Sequence, residues 1–197
     1  MGRLLLIRHA ESEGNRDQVF TATPHVPLTS RGEEQARAAA DWLRSRHTPV
    51  HVVSSPYTRA RQTAAIIAEI LGVPVVVEED LRERDYGRLA GQAYSSPRPG
   101  YERERYWLWR PEGGETLEEV LVRVGSVLDR VAAAAGNDDI VVVSHGAVMM
   151  AAHRHVTGAW PPAGRVVRNA GMLVVEHRGG KFHAAREVPP DDEGPVG

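Results

Sequence analysis

The chain of 197 residues contains no cysteine. Disulfides, thiolate nucleophiles and cysteine-held metals are thereby excluded. Lysine is nearly missing too. Lys181 is the only one among 24 Lys and Arg residues, which leaves 23 arginines. Arginine binds oxyanions through a planar fork better than lysine does, but a GC-rich coding bias would raise arginine as well, and composition does not separate the two. Neither sign of charge is in excess: the formal net charge is -2. Nothing global therefore points to nucleic acid or a membrane surface. Long apolar runs are absent. Leu4 to Ile7 is too short for a signal-peptide core and far too short to span a bilayer, so the expected compartment is the cytoplasm. No Gly-rich phosphate loop and no Gly-x-Gly-x-x-Gly occurs, which removes the nucleotide-cradle reading.

What is present suits one soluble domain over residues 1–197. The hydrophobic share is 42% and the charged share 25%, ordinary for a globular chain able to bury a full core. Leu4-Leu5-Leu6-Ile7 reads as a strand buried on both faces. Ser30 with Glu33 fits a capping box, followed by Ala36, Ala39, Ala40 and Leu43 at helical spacing. His51 to Ser54 predicts a second strand. Arg61 to Leu71 predicts a helix stopped by Gly72, and Val73 to Val77 a third strand. Thr116 and Glu119 form a second capping box ahead of Leu117, Val120, Leu121, Val124, Val127, Leu128 and Val131. Ile140 to Val143 predicts a fourth strand, Ala147 to Val156 a helix, and Met172 to Val175 the last strand. Strands alternating with helices imply an α/β fold with a mostly parallel sheet. Residues 88–114 are irregular and read as a lid or insert. Within them 93–112, with its arginines, Trp107 and Trp109, is either a lid that selects substrate or an excursion whose tryptophans pack on the core. Residues 189–197 read as a flexible tail.

Polar residues cluster at the strand ends. Arg8-His9 follows the first strand, Ser54-Ser55 and Arg59 the second, Glu83 the third, and Ser144-His145-Gly146 the fourth. In an open parallel sheet these positions share the carboxyl edge, where such folds bind ligands. Two arginines supply forks for an oxyanion, most naturally phosphate. A neutral imidazole is a competent nucleophile, a carboxylic acid can donate a proton to a leaving oxygen, and a second histidine can hold phosphoryl oxygens. Each piece alone has a plainer reading, such as a solvated loop or a helix cap; the joint placement favours chemistry. A Ser-His-Asp hydrolase would want Gly-x-Ser-x-Gly, which is missing. His153 and His155 lie two apart and point away from each other on a helix, so they do not suit zinc.

These residues resemble the histidine phosphatase superfamily, the group that includes cofactor-dependent phosphoglycerate mutase. Leu6 to Asn15 is similar to its Arg-His-Gly signature, Pro27 to Ala36 to its first helix start, Ser54 to Ala64 to its second arginine block, and Val142 to Gly146 to its second histidine. Leu81 to Gly87 and Pro111 to Thr116 match weaker elements. The resemblance implies a phosphoglycerate mutase-like three-layer α/β/α fold. It implies that His9 becomes phosphohistidine, that Arg8, Arg59 and His145 clamp the phosphoryl group, and that Glu83 is general acid, then base. Asn15, Thr21 and the Gly146 N–H would touch phosphate or substrate. No cofactor and no metal is implied: the expectation is a metal-independent, acid-type histidine phosphatase acting on a small-molecule phosphomonoester, with no nucleic-acid or membrane partner. A homodimer is common among such folds. Ala10 stands where glycine is usual, a small addition of bulk. Mutases of the group place a substrate-binding lysine after the 81–87 block, whereas Arg88 to Tyr94 has none. Hydrolysis is therefore the expectation, phosphoglycerate mutase the alternative, and a non-catalytic phospho-ligand-binding protein a second alternative.

Overall fold

The computed structural model describes residues 1–21, 23–178 and 181–188. Its elements in chain order are β1 (Gly2–Arg8), α1 (Glu13–Arg16), α2 (Ser30–Arg46), β2 (Pro49–Ser54), α3 (Thr58–Leu71), β3 (Val75–Val77), α4 (Leu117–Ala135), β4 (Asp139–Ser144), α5 (Gly146–Thr157), β5 (Met172–Arg178) and β6 (Lys181–Val188). The strands form a six-stranded sheet in the order β3-β2-β4-β1-β5-β6. The first four in that order run parallel, while β5 and β6 are antiparallel additions on one side.

The layers follow from the two-residue period of a strand. Leu5 and Ile7 of β1 join the cluster that α2 and α3 cover, with Ala36, Ala40, Leu43, Ala64 and Ile67. Leu4 and Leu6 turn the other way, into the cluster under α4 and α5 with Val120, Val124, Leu128 and Val148. The central strands are thus apolar on both faces, and the three-layer α/β/α fold is what buries them. No helix among the described residues is long and apolar enough to cross a membrane.

Four details differ from the sequence reading. The cap of α2 is Thr29, not Ser30: its side-chain oxygen accepts from Gly32 N, and its hydroxyl donates to a Glu11 carboxylate oxygen at 2.9 Å. Capping one residue earlier ties the helix start to the loop after β1. Gly32 is needed there, because a Cβ would lie 2.0 Å from the Glu11 carbonyl oxygen. Second, α3 begins at Thr58, so Arg59 sits in its first turn. Third, Met172–Arg178 is not the last strand. The edge strand β6 follows it, with little apolar alternation in Lys181 to Val188 to announce it. The tail assigned to 189–197 lies outside the described residues. The third strand is also shorter than expected, starting at Val75 and not Val73, whose N–H instead bonds back to the Ala68 carbonyl; by contrast, Thr116 and Glu119 form a reciprocal capping box on α4, and Gly72, left-handed at φ 68°, ends α3.

Candidate active site

Level strand ends bring the polar residues together. Arg8 stands opposite Ser144, and Ser54 opposite Val143, so β1, β2 and β4 release their following residues at one height. His9 continues β1 by donating its N–H to the Ser144 carbonyl at 2.8 Å. Its imidazole is 2% exposed. Arg59 approaches from α3 and is 1% exposed. His145 is the N-cap of α5, and its ring centroid lies 5.1 Å from that of His9.

The hydrogen bonds fix the state of His9. Arg59 Nε, which can only donate, points at His9 Nε2 from 3.1 Å. Nε2 must therefore carry a lone pair, and the proton sits on Nδ1, which donates to the Ala10 carbonyl at 2.7 Å. Tautomer and ring orientation are both set by this pair of contacts. The Asn169 amide steadies the backbone beneath by donating to the His9 carbonyl at 3.0 Å and to Asn15 Oδ1 at 3.0 Å.

His145 is arranged as a donor. Ser55 Oγ lies 2.7 Å from its Nε2 and accepts from Tyr57 N. The hydroxyl proton has no other acceptor among the described residues, so it goes to Nε2. That leaves the His145 proton on Nδ1, which is buried and without a partner, as is Arg8 Nε. Two orphan donors in a buried site are costly unless an acceptor meets them. An oxyanion is the ligand they suit. Arg59 is held in place by Nη2 donating to the Thr21 carbonyl at 2.9 Å and Nη1 to the Thr23 carbonyl at 3.2 Å.

Glu83 arrives by a different route. Ser144 Oγ donates to the Leu81 carbonyl at 2.7 Å, which pins the segment before Glu83 to the end of β4. Glu83 Oε1 then accepts from Arg84 N at 2.8 Å and from Ala147 N, in the first turn of α5, at 3.3 Å. Oε2 has no partner among the described residues and Glu83 lines the cavity. Although Glu83 sits in a charged run, only 8% of it is exposed.

A cavity of about 410 Å³ opens at this edge. Of the residues singled out from sequence, Arg8, His9, Asn15, Thr21, Glu83 and Gly146 line it. Arg59 and His145 do not form its wall; they reach it through their contacts with His9. Sequence reasoning missed Ser55 and Asn169 as positioning groups, and it missed most of the aromatic wall. Trp109 and Arg98 of the irregular segment line the cavity, whereas Trp107 stacks on Trp160 with centroids 6.3 Å apart and Arg110 pairs with Glu119. Gly87 braces this segment: it is left-handed at φ 50°, and a Cβ there would lie 2.1 Å from the Glu112 carbonyl oxygen. Among the described residues no three His, Asp or Glu side chains gather as a metal-holding group.

Burial, and after it the Arg59 charge, hold both imidazoles well below the ordinary histidine value of 6.5. Both are accordingly neutral in the folded chain at neutral pH. A consequence for stability follows. The unfolded chain takes up protons at these two positions as pH falls through about 6.5, and the folded chain resists them, so stability should decline below that pH. The imidazole resonances of His9 and His145 should keep their neutral positions as pH is lowered past 6.5. A midpoint at or above that value for either ring would contradict the arrangement.

A neutral imidazole ringed by guanidinium and imidazole donors, with a carboxyl group in the same cavity, defines a class of site built for an oxyanion. The chain belongs to the histidine phosphatase superfamily (branch 1), whose family model matches residues 4–188. It is 33% identical over 161 residues to the uncharacterized phosphatase PhoE of Bacillus subtilis (strain 168), covering 82% of this chain and 80% of that one. It is 34% identical over 158 residues to a 2,3-bisphosphoglycerate-dependent phosphoglycerate mutase of Methylobacterium sp. (strain 4-46), covering 73% and 74%. Among solved structures, a mycobacterial glucosyl-3-phosphoglycerate phosphatase in complex with VO3 superposes with a TM-score of 0.82. That match has 26% identity and covers 94% of this chain and 96% of the other.

Proposed function

We propose that the protein is a phosphomonoester hydrolase that works through a phosphohistidine on His9. The observation that carries this reading is the fixed tautomer of His9, whose Nε2 lone pair faces Arg59 in a cavity shared with Glu83. An entering phosphoryl oxygen takes over the Arg59 N–H and frees that lone pair. Nε2 attacks phosphorus, the bond to the leaving oxygen breaks, and Glu83 gives that oxygen its proton. In the second half, Glu83 takes a proton from water as water attacks phosphorus. The P–N bond breaks, its electron pair returns to Nε2, and inorganic phosphate leaves. Arg8, Arg59 and the His145 Nδ1–H hold the phosphoryl oxygens throughout. Asn15, Thr21 and the Gly146 N–H border the same end. The charge that phosphoryl transfer requires is supplied by these groups, and no step is routed through a metal.

Phosphatase is favoured over mutase because the wall beyond the phosphoryl end is aromatic, and because the stretch Arg88 to Tyr94, next after the Glu83 block, holds no lysine. A phosphatase relative and a VO3-bound structural relative support the same choice. Incubation with 3-phosphoglycerate and a bisphosphoglycerate primer should yield free phosphate and no efficient formation of 2-phosphoglycerate; efficient isomerisation would overturn the choice.

Glu83→Gln tests the acid. The substitution keeps the Oε1 contacts to Arg84 N and Ala147 N but removes the transferable proton. Hydrolysis of an alkyl phosphate should fall by roughly 10²–10⁴-fold. The p-nitrophenyl ester should fall markedly less, because its leaving oxygen needs no proton. Equal slowing of both would count against Glu83 as the acid.

A further inference from the structure

Beyond the phosphoryl end, the cavity wall is made of Phe20, Tyr86, Tyr94, Tyr101, Tyr106 and Trp109. Several of their polar atoms are already engaged. Tyr106 donates its hydroxyl to the Pro161 carbonyl, and Trp109 Nε1 donates to the Pro99 carbonyl at 3.0 Å. The nearby guanidinium of Arg84 is buried, with Nε and Nη2 given to the Glu115 and Trp109 carbonyls. The Tyr94 hydroxyl accepts from the Asn15 amide at 3.4 Å, and those of Tyr86 and Tyr101 have no protein partner among the described residues, so the wall offers broad ring faces with a few phenolic hydroxyls among them. Asn15 and Thr21 stand beside His9, and no other Asn, Gln, Ser or Thr lines the space. Beyond the hydroxyls of Tyr86, Tyr94 and Tyr101, a polyol or sugar that sheds water from several hydroxyls would find few partners in return. A flat ring would lose little and stack well.

Arg98 adds a second feature. Its guanidinium carbon lies 5.2 Å from the Phe20 ring centroid and 5.5 Å from that of Tyr101. One Nη donates to the Tyr94 carbonyl at 2.7 Å. Among the described residues no carboxylate pairs with Arg98, and the single carboxylate lining the cavity is Glu83, which belongs to the phosphoryl end. A cation fixed between two rings and lacking a counter-charge suits an anion carried by the ligand.

We propose that the leaving group of the substrate is an apolar ring bearing an anionic substituent, the ring seated on the aromatic wall and the anion on Arg98. The inference rests on the phosphatase reading and names the substrate class for the same site. It is tested with the wild-type protein on benzyl phosphate, 4-carboxybenzyl phosphate and glycerol 1-phosphate. All three release primary alcohols of similar acidity, so differences report recognition and not leaving-group chemistry. The expected order of kcat/KM is carboxybenzyl, then benzyl, then glycerol phosphate, with the two rings at least about tenfold above glycerol. Arg98→Gln should bring the two benzyl esters to within about twofold of each other. Glycerol 1-phosphate cleaved as well as benzyl phosphate would overturn the ring, and an undiminished carboxylate preference in Arg98→Gln would overturn the anion contact. Failure to cleave any of the three, and p-nitrophenyl phosphate as well, would instead remove the phosphatase reading on which the inference stands.

Discussion

Replacing His9 by alanine is expected to lower kcat for p-nitrophenyl phosphate by about 10⁴-fold or more, the scale seen when a covalent nucleophile is removed. No neighbour can substitute. The imidazole beside it, His145, has Nε2 occupied by Ser55 and presents a proton, not a lone pair, at Nδ1. The contacts that shape the local backbone, His9 N to the Ser144 carbonyl and the Asn169 amide to the His9 carbonyl, are made by main-chain atoms of residue 9 and survive the substitution. The variant should therefore fold, which circular dichroism and a denaturant midpoint can verify. An alanine variant that is folded and retains activity within tenfold of wild type would show that His9 is not the nucleophile.

Arg59 carries the second large effect, and here even lysine should fail. Its three nitrogens do three separate things: Nε addresses His9 Nε2, Nη1 the Thr23 carbonyl and Nη2 the Thr21 carbonyl. An ammonium is one point on a flexible stem and cannot reproduce that fork. Arg59→Lys and Arg59→Ala should both lose roughly 10³-fold in kcat/KM, the cost of a preorganised donor to the reacting phosphoryl group. Stability should drop as well. Arg59 is only 1% exposed, and its loss opens the packing around it and removes the donors that tie the carbonyls of residues 21 and 23 to α3. A penalty on the order of 2 kcal/mol is expected, equivalent to a fall in Tm of about 4–8 °C for a domain of this size. Arg59→Lys within tenfold of wild type would mean that charge alone suffices and that the fork geometry is irrelevant.

These two residues also show how much the sequence discloses. Leu4 to Ile7 and Ile140 to Val143 announce themselves as strands because a strand buried on both faces must be apolar without interruption. Once they are placed, the topology carries His9, Arg59 and His145 to one edge without further information. Glu83 is harder. Its neighbours Glu78 to Asp85 form a charged run of the kind that is usually solvated, and its burial comes from tertiary contacts: Ser144 and Arg123 holding the backbone of the segment, and the hydrogen bonds to Arg84 N and Ala147 N. Strand β6 escapes because an edge strand needs little apolar pattern. The aromatic wall escapes for another reason. Phe20 lies far in sequence from Tyr94 and Trp109, in irregular segments without a period to read. They meet through tertiary bonds such as Tyr94 N to the Gln18 carbonyl and Phe20 N to the Gln92 carbonyl. Ser55 lies in a visible motif, yet its task depends on a contact 90 residues away in the chain.

The covalent claim can be tested directly by rapid quenching of the protein with ³²P-labelled phosphomonoester into alkali, followed by proteolysis and peptide mapping. Label that is stable in base, labile in acid and confined to the peptide containing His9, and that is missing from His9→Ala, is the predicted result. Turnover with no labelled protein at any quench time, or label on a peptide that lacks His9, would contradict the phosphohistidine route.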